Sequence, residues 1–210
     1  MKREAKPTGM IQLAPRVVLI GPMGAGKSSV GRTLARLWQT SFHDTDQAAA
    51  LAGGSSVAEL FQTKGEAHFR DLEQQAVAAA LSEQPGVVAL GGGALMRPAN
   101  QAVLDSYRQA GGQVVFLDVS ADQALVRIGD ATSRPLLHGD GDRAKQRWVD
   151  LNETRRPAYQ AACTLRIDTD YLDPIGVAQL ISTNLPARNR LFGVNPTLQP
   201  PEPSTSAPSG

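Results

Sequence analysis

The stretch Gly21-Pro22-Met23-Gly24-Ala25-Gly26-Lys27-Ser28, directly behind the apolar run Val17-Val18-Leu19-Ile20, decides the fold. Its pattern is that of a phosphate-binding P-loop, and it sits in the context such a loop requires, between a strand and the helical spacing of Val30, Leu34 and Leu37. Glycines let successive backbone N–H groups turn inward around an anion, and the N-terminus of the following helix adds partial positive charge. Gly24, Ala25, Gly26 and Ser29 are thus expected to wrap a nucleotide's phosphates. Lys27 is expected to bridge the terminal phosphates and the Ser28 hydroxyl to ligate Mg²⁺. The rival reading is a glycine-rich turn with no ligand.

Outward from the loop, short apolar runs at 41–44, 87–90, 113–119 and 164–168 alternate with longer helical patterns, among them the stripe Phe69, Leu72, Ala76 and Ala80. The runs are apolar at consecutive positions, as parallel strands covered on both faces require. The fold class that follows is α/β: a doubly wound, three-layer αβα arrangement around a central parallel sheet. Both helical stripes read as core. Residues 129–142 combine Gly, Asp and Pro without periodicity and read as a mobile lid. The polar segment 1–14, and 186–210 with its prolines, read as disordered tails around one folded unit at 15–185. One domain is also what 210 residues favour.

A net charge of +1 excludes a generic polyanion binder, and the arginines are scattered among acids instead of forming a nucleic-acid stripe. No apolar run approaches the roughly 20 residues that span a bilayer, and no secretory apolar segment precedes the first strand, so a cytoplasmic location is expected. The lone Cys163 and three separated histidines offer no zinc ligand set.

A P-loop alone fits kinases, motor ATPases, GTPases and nucleotide sensors, so the acceptor must be read from other residues. No NKxD-type guanine box is present. Asp44 and Asp46 flank Thr45 at the end of the second strand, where two acids on an extended backbone share a side and ligands of α/β sheets sit. One could face the metal and the other accept a hydroxyl proton; alternatively Asp46 caps a helix starting at Gln47. Arg70 and Arg155 each suit carboxylate recognition by a planar fork, or else a surface ion pair. Gly91, Gly92 and Gly93 end a strand and allow close backbone approach to a ligand, or form a plain turn. Arg134, before Pro135 in the lid, suits an arginine-finger role or simply faces solvent. Asp118 ends a Walker-B-like strand but equally suits a helix cap. His43, His68, His138 and Cys163 read as structural or surface residues.

Taken together the blocks GPMGAGKSSVGRTLA, DTD at 44–46, GGSSVAELFQTKGEAHFRDLE at 53–73, GGG at 91–93, RPLL at 134–137, RRPAY at 155–159 and IDT at 167–169 resemble the shikimate kinase family. The resemblance spans about 16–185. It implies the P-loop kinase fold related to nucleoside-monophosphate kinases, with ATP and Mg²⁺ as cofactors, shikimate as acceptor, and neither nucleic acid nor membrane as partner; a monomer is expected. By the resemblance Arg70 and Arg155 grip the shikimate carboxylate, Gly92 adds a backbone contact, and Asp46 binds ring hydroxyls and takes the 3-hydroxyl proton. Asp44 would hold Mg²⁺ through water and Ser28 directly. Lys27 and Arg134 would stabilise phosphoryl charge, and Arg127 would lie near the adenine with the 168–174 loop. The implied reaction moves the ATP γ-phosphoryl group to the 3-hydroxyl, giving shikimate 3-phosphate and ADP on the route to chorismate. Alternatives are a gluconate or other small-molecule kinase of the same fold, and a catalytically silent nucleotide-binding protein.

Overall fold

A computed structural model of the protein describes residues 15–129 and 141–186. Most of both expected tails, and the middle of the expected lid with Arg134 and His138, lie outside the described residues.

The chain runs β1 (Pro15–Ile20), α1 (Lys27–Leu37), β2 (Phe42–Asp44), α2 (Thr45–Gly53), α3 (Val57–Thr63), α4 (Gly65–Glu83) and β3 (Gly86–Ala89). It continues through α5 (Pro98–Gln109), β4 (Val114–Asp118), α6 (Ala121–Ile128), α7 (Gly141–Ala162), β5 (Leu165–Asp168) and α8 (Pro174–Asn184). The five strands form one parallel sheet in the order β2-β3-β1-β4-β5. From β1 the chain reaches β2 and β3 on one side and β4 and β5 on the other. The carboxyl end of β1 is therefore the switch point at which open α/β sheets bind ligands, and the P-loop occupies it.

Consecutive apolar residues in β1 serve two cores. Val17 and Leu19 face a layer built from α1, α8 and Ala124 of α6, while Val18 and Ile20 face α4, α5 and Tyr159 of α7. All four are fully or almost fully buried, as a strand covered on both faces demands. Full burial of a leucine such as Leu34 contributes about 1.5–3 kcal/mol each time. A third, smaller cluster of Ala49, Leu60 and Phe69 joins α2, α3 and α4 beside the edge strand β2.

Three expectations are corrected. Leu37 is 54% exposed and leaves the stripe. The buried position at the end of α1 belongs to Trp38, whose Nε1 donates to Ser182 Oγ of α8 at 2.9 Å. Helix α2 begins at Thr45, two residues earlier than expected, so Asp44 caps it, accepting from the Asp46 and Gln47 amides, and Asp46 lies in its first turn. The expected lid overruns by two residues, since Gly141 and Asp142 already belong to α7.

Candidate active site

A cleft of about 480 Å³ opens over the carboxyl end of β1, lined on one wall by the P-loop and on the others by Asp44, Asp46, Gly92, Arg127 and Leu172, among others. Gly24, Ala25, Gly26, Lys27, Ser28 and Ser29 all face it. Gly24 adopts φ +80°, and a Cβ there would stand 2.7 Å from the Ala124 backbone, so the loop can follow this path only with glycine. Gly26, at φ 87°, leads into α1. Lys27 Nζ donates to the Gly21 and Pro22 carbonyls at 2.7 and 3.0 Å, bracing the loop from within. The loop's rim is held from α7, where Trp148 Nε1 donates to Met23 O at 3.0 Å.

Below the loop, Ser28 Oγ donates to Asp44 Oδ2 at 2.6 Å. A hydroxyl and a carboxylate side by side are hard oxygen donors of the kind Mg²⁺ takes, with its remaining positions supplied by water and phosphate. The same Asp44 caps α2 through its other oxygen, so the cap fixes the carboxylate that faces the P-loop.

Asp46 reaches the cleft from the first turn of α2, and its Oδ1 is sealed from solvent without a hydrogen-bond partner. Burial, then the Glu73 and Asp44 carboxylates, raise its pKa to about 6, against the opposing pull of Lys27 and Arg70. Glu73 of α4 is fully buried, and its Oε1 likewise has no partner. A Cβ on Gly91 would land on both of these oxygens, so the two carboxylates meet over that glycine. The other Glu73 oxygen accepts from Arg70 Nη1 at 2.7 Å. Arg70 also donates to Glu66 Oε1 through Nε and Nη2, at 3.2 and 3.0 Å.

The three glycines make room for functional side chains. Asp46 and Glu73 crowd Gly91, and the Arg70 guanidinium crowds Gly93. Gly92 turns its carbonyl to α7, where it accepts from Arg155 Nη1 at 3.3 Å and from the Tyr159 hydroxyl. Arg155 is only 7% exposed. The Gly91 amide donates to Thr45 Oγ1 at 3.0 Å, tying the GGG turn to the DTD turn. Arg70 and Arg155 thus both reach the same turn, one from α4 and one from α7, and Asp46 touches that turn while lining the cleft with the P-loop.

At the far end of the cleft, Arg127 Nη1 donates to Thr169 Oγ1 at 3.0 Å, and Nη2 donates to Thr169 O. This joins α6 to the loop after β5, whose Thr169 and Leu172 line the cleft together with Pro174 at the start of α8. Asp118 does not cap α6, a place taken by Ser120; it lies outside the cleft lining, and both its oxygens accept from arginines.

Glu73, Tyr159, Thr45 and Trp148 were not singled out from the sequence. Glu73 alone carried a usable signal, since it lies three residues after Arg70 on a helix, the spacing at which side chains meet. The others act through contacts distant in sequence.

A family model described as Shikimate kinase matches residues 23–185. The shikimate kinase of Mycobacterium avium (strain 104) is 44% identical over 175 residues, 83% of this chain and 96% of that protein. The shikimate kinase of Streptomyces coelicolor is 42% identical over 166 residues, 79% of this chain and 92% of that protein. Among solved structures, the shikimate kinase from Acinetobacter baumannii in complex with shikimate is similar with a TM-score of 0.71 at 30% identity, covering 84% of this chain and 97% of that one.

Proposed function

The chain belongs to the shikimate kinase family, and from that premise we propose how its own residues divide the transfer of the ATP γ-phosphoryl group to the shikimate 3-hydroxyl. ATP and Mg²⁺ are its cofactors and shikimate its acceptor. The P-loop, from Gly24 to Ser29, receives the phosphates. Lys27, now braced on two loop carbonyls, is placed to turn toward the terminal phosphates, and Ser28 with Asp44 would hold Mg²⁺. That ion, when bound, neutralises charge on the phosphates during transfer.

On the acceptor side, Arg70 and Arg155 offer forked donors to one carboxylate, with Glu73 holding Arg70 in place and the Gly92 carbonyl holding Arg155. Gly91 and Gly93 serve by leaving space for these side chains, and the backbone of Gly92 borders the cleft. Asp46 accepts the 3-hydroxyl proton. Arg127, with the 168–174 loop, borders the base end of the nucleotide site, and the proposed role of Arg134 is to bring a further positive charge to the transferring group. The work left to the protein is positioning and charge neutralisation. We place the reaction in the cytoplasm; among the described residues no helix is long and apolar enough to cross a membrane.

The observation that carries this assignment is the place of Asp46, one carboxylate that lines the phosphate cleft yet is packed over Gly91 beside Glu73 and Arg70. Asp46→Asn keeps the shape and removes the proton acceptor. Turnover should fall on the order of 10²–10⁴-fold, the contribution of a general base, while equilibrium MgATP binding stays within about twofold. Near-native turnover by this variant would overturn the assignment of the base.

A further inference from the structure

Asp118, at the carboxyl end of β4, is a buried carboxylate outside the cleft that gathers two arginines. Arg156 of α7 meets it with both ends of its fork, Nη1 to Oδ1 at 2.8 Å and Nη2 to Oδ2 at 2.5 Å. Arg166 of β5 adds Nε and Nη2 contacts to Oδ2 at 2.9 and 2.6 Å. The Arg156 guanidinium also lies 5.8 Å from the centre of the Phe116 ring, within cation–π range. A bidentate charged pair of this kind fixes direction as well as distance.

Arg156 is the immediate neighbour of Arg155, and both precede Pro157 inside α7. A proline within a helix has no N–H to give the carbonyl four residues earlier, so the turn bearing the two arginines is one backbone bond short. Side-chain contacts therefore carry more of its orientation than they would in an uninterrupted helix. Two kinds of anchor are present: the Gly92 carbonyl, shared by Arg155 and Tyr159, and Asp118, which takes Arg156. On the sheet side Asp118 is itself fixed, since its main-chain oxygen accepts from the Thr169 amide at 3.0 Å and the Thr169 hydroxyl at 2.9 Å.

We infer that Asp118 is a positioning residue which, by clamping Arg156, sets the direction from which Arg155 meets the acceptor's carboxylate. The inference rests on the reading of Arg155 as a carboxylate clamp. Without the Asp118 charge, Arg156 and Arg166 face each other across one site and repel, and α7 turns about its proline.

The test is steady-state kinetics of the full chain with shikimate and ATP varied separately. Asp118→Asn is expected to raise the shikimate KM about tenfold and to leave the ATP KM within about twofold, because the main-chain bonds to Thr169 survive. Asp118→Glu, which restores the charge, should recover most of the loss. Arg156→Gln, at a side chain one-third exposed, should move the shikimate KM in the same direction and decides the matter if Asp118→Asn does not fold. With an acceptor whose carboxylate is replaced by a hydroxymethyl group, parent and variants should show the same KM. A uniform fall in kcat with both KM values unchanged, or equal rises in both, would overturn the inference. Arg155→Lys separates the two levels. If it leaves the shikimate KM unchanged, the carboxylate-clamp reading itself fails; if it raises KM and neither Asp118→Asn nor Arg156→Gln does, only the positioning role fails.

Discussion

Burial, with Glu73 and Asp44 close by, moves the Asp46 carboxyl from 3.8 to about 6, and this has two consequences of opposite sign. The folded protein binds the Asp46 proton more tightly than the unfolded chain. This group's contribution to stability is therefore fully present below about pH 4 and is lost as pH rises through about 6. A proton acceptor must be ionised, so kcat/KM for shikimate, which at ATP concentrations well below its KM reports on the enzyme without bound substrates, should rise through the same window. The measurement is a pH series of kcat/KM beside thermal melts of the parent and Asp46→Asn. The parent should show an acidic limb near pH 6, and the melting curves of parent and variant should diverge as pH rises. A limb centred near pH 4 would mean that Asp46 is not buried among like charges. The acid pair was legible in its i, i+2 spacing, but its geometry was not. The extended backbone assumed for Asp46 ends at Asp44, because a cap and a first helical turn compete for the same residues.

At the scale of elements, glycine turns separate the two halves of the site, and substitution should separate them kinetically. Gly24→Ala combines a positive φ with rigid Ala124 backbone in the way, so the P-loop must move. Gly93→Ala first meets the guanidinium end of Arg70, a side chain that can be displaced only by loosening its bonds to Glu66 and Glu73. The first should raise the ATP KM about tenfold or more, and the second the shikimate KM by several-fold with ATP little affected. Separate titration of each substrate checks this, and a Gly93→Ala effect confined to ATP would contradict the placement of Arg70. The P-loop was fully legible because a strand, a glycine pattern and a helix follow one another in sequence. The GGG turn was legible as a close approach, but what approaches it was not, since Glu73, Arg155 and Tyr159 come from other elements. Leu37 misled because Leu34 can be followed on a helix by a core residue at either the third or the fourth position, and here the fourth, Trp38, takes the buried place.

Across the whole molecule, the consecutive apolar runs give the two-sided sheet because each strand must fill two cores at once. The strand order that puts β1 between β3 and β4 is not contained in any run, and it is what places the P-loop, the DTD turn and the GGG turn along one crevice. The small cluster around Leu60 and Phe69 joins α2 and α4 beside that crevice, and these two helices bring Asp46 and Arg70 to the GGG turn. The central claim is that this crevice takes a nucleotide's phosphates and a cyclic hydroxy acid together, and ADP release measured with shikimate, quinate and gluconate as separate acceptors tests it most directly. ADP should appear rapidly with shikimate and slowly or not at all with the other two or with no acceptor. Comparable rates with gluconate, or ADP release that does not depend on an acceptor, would contradict it.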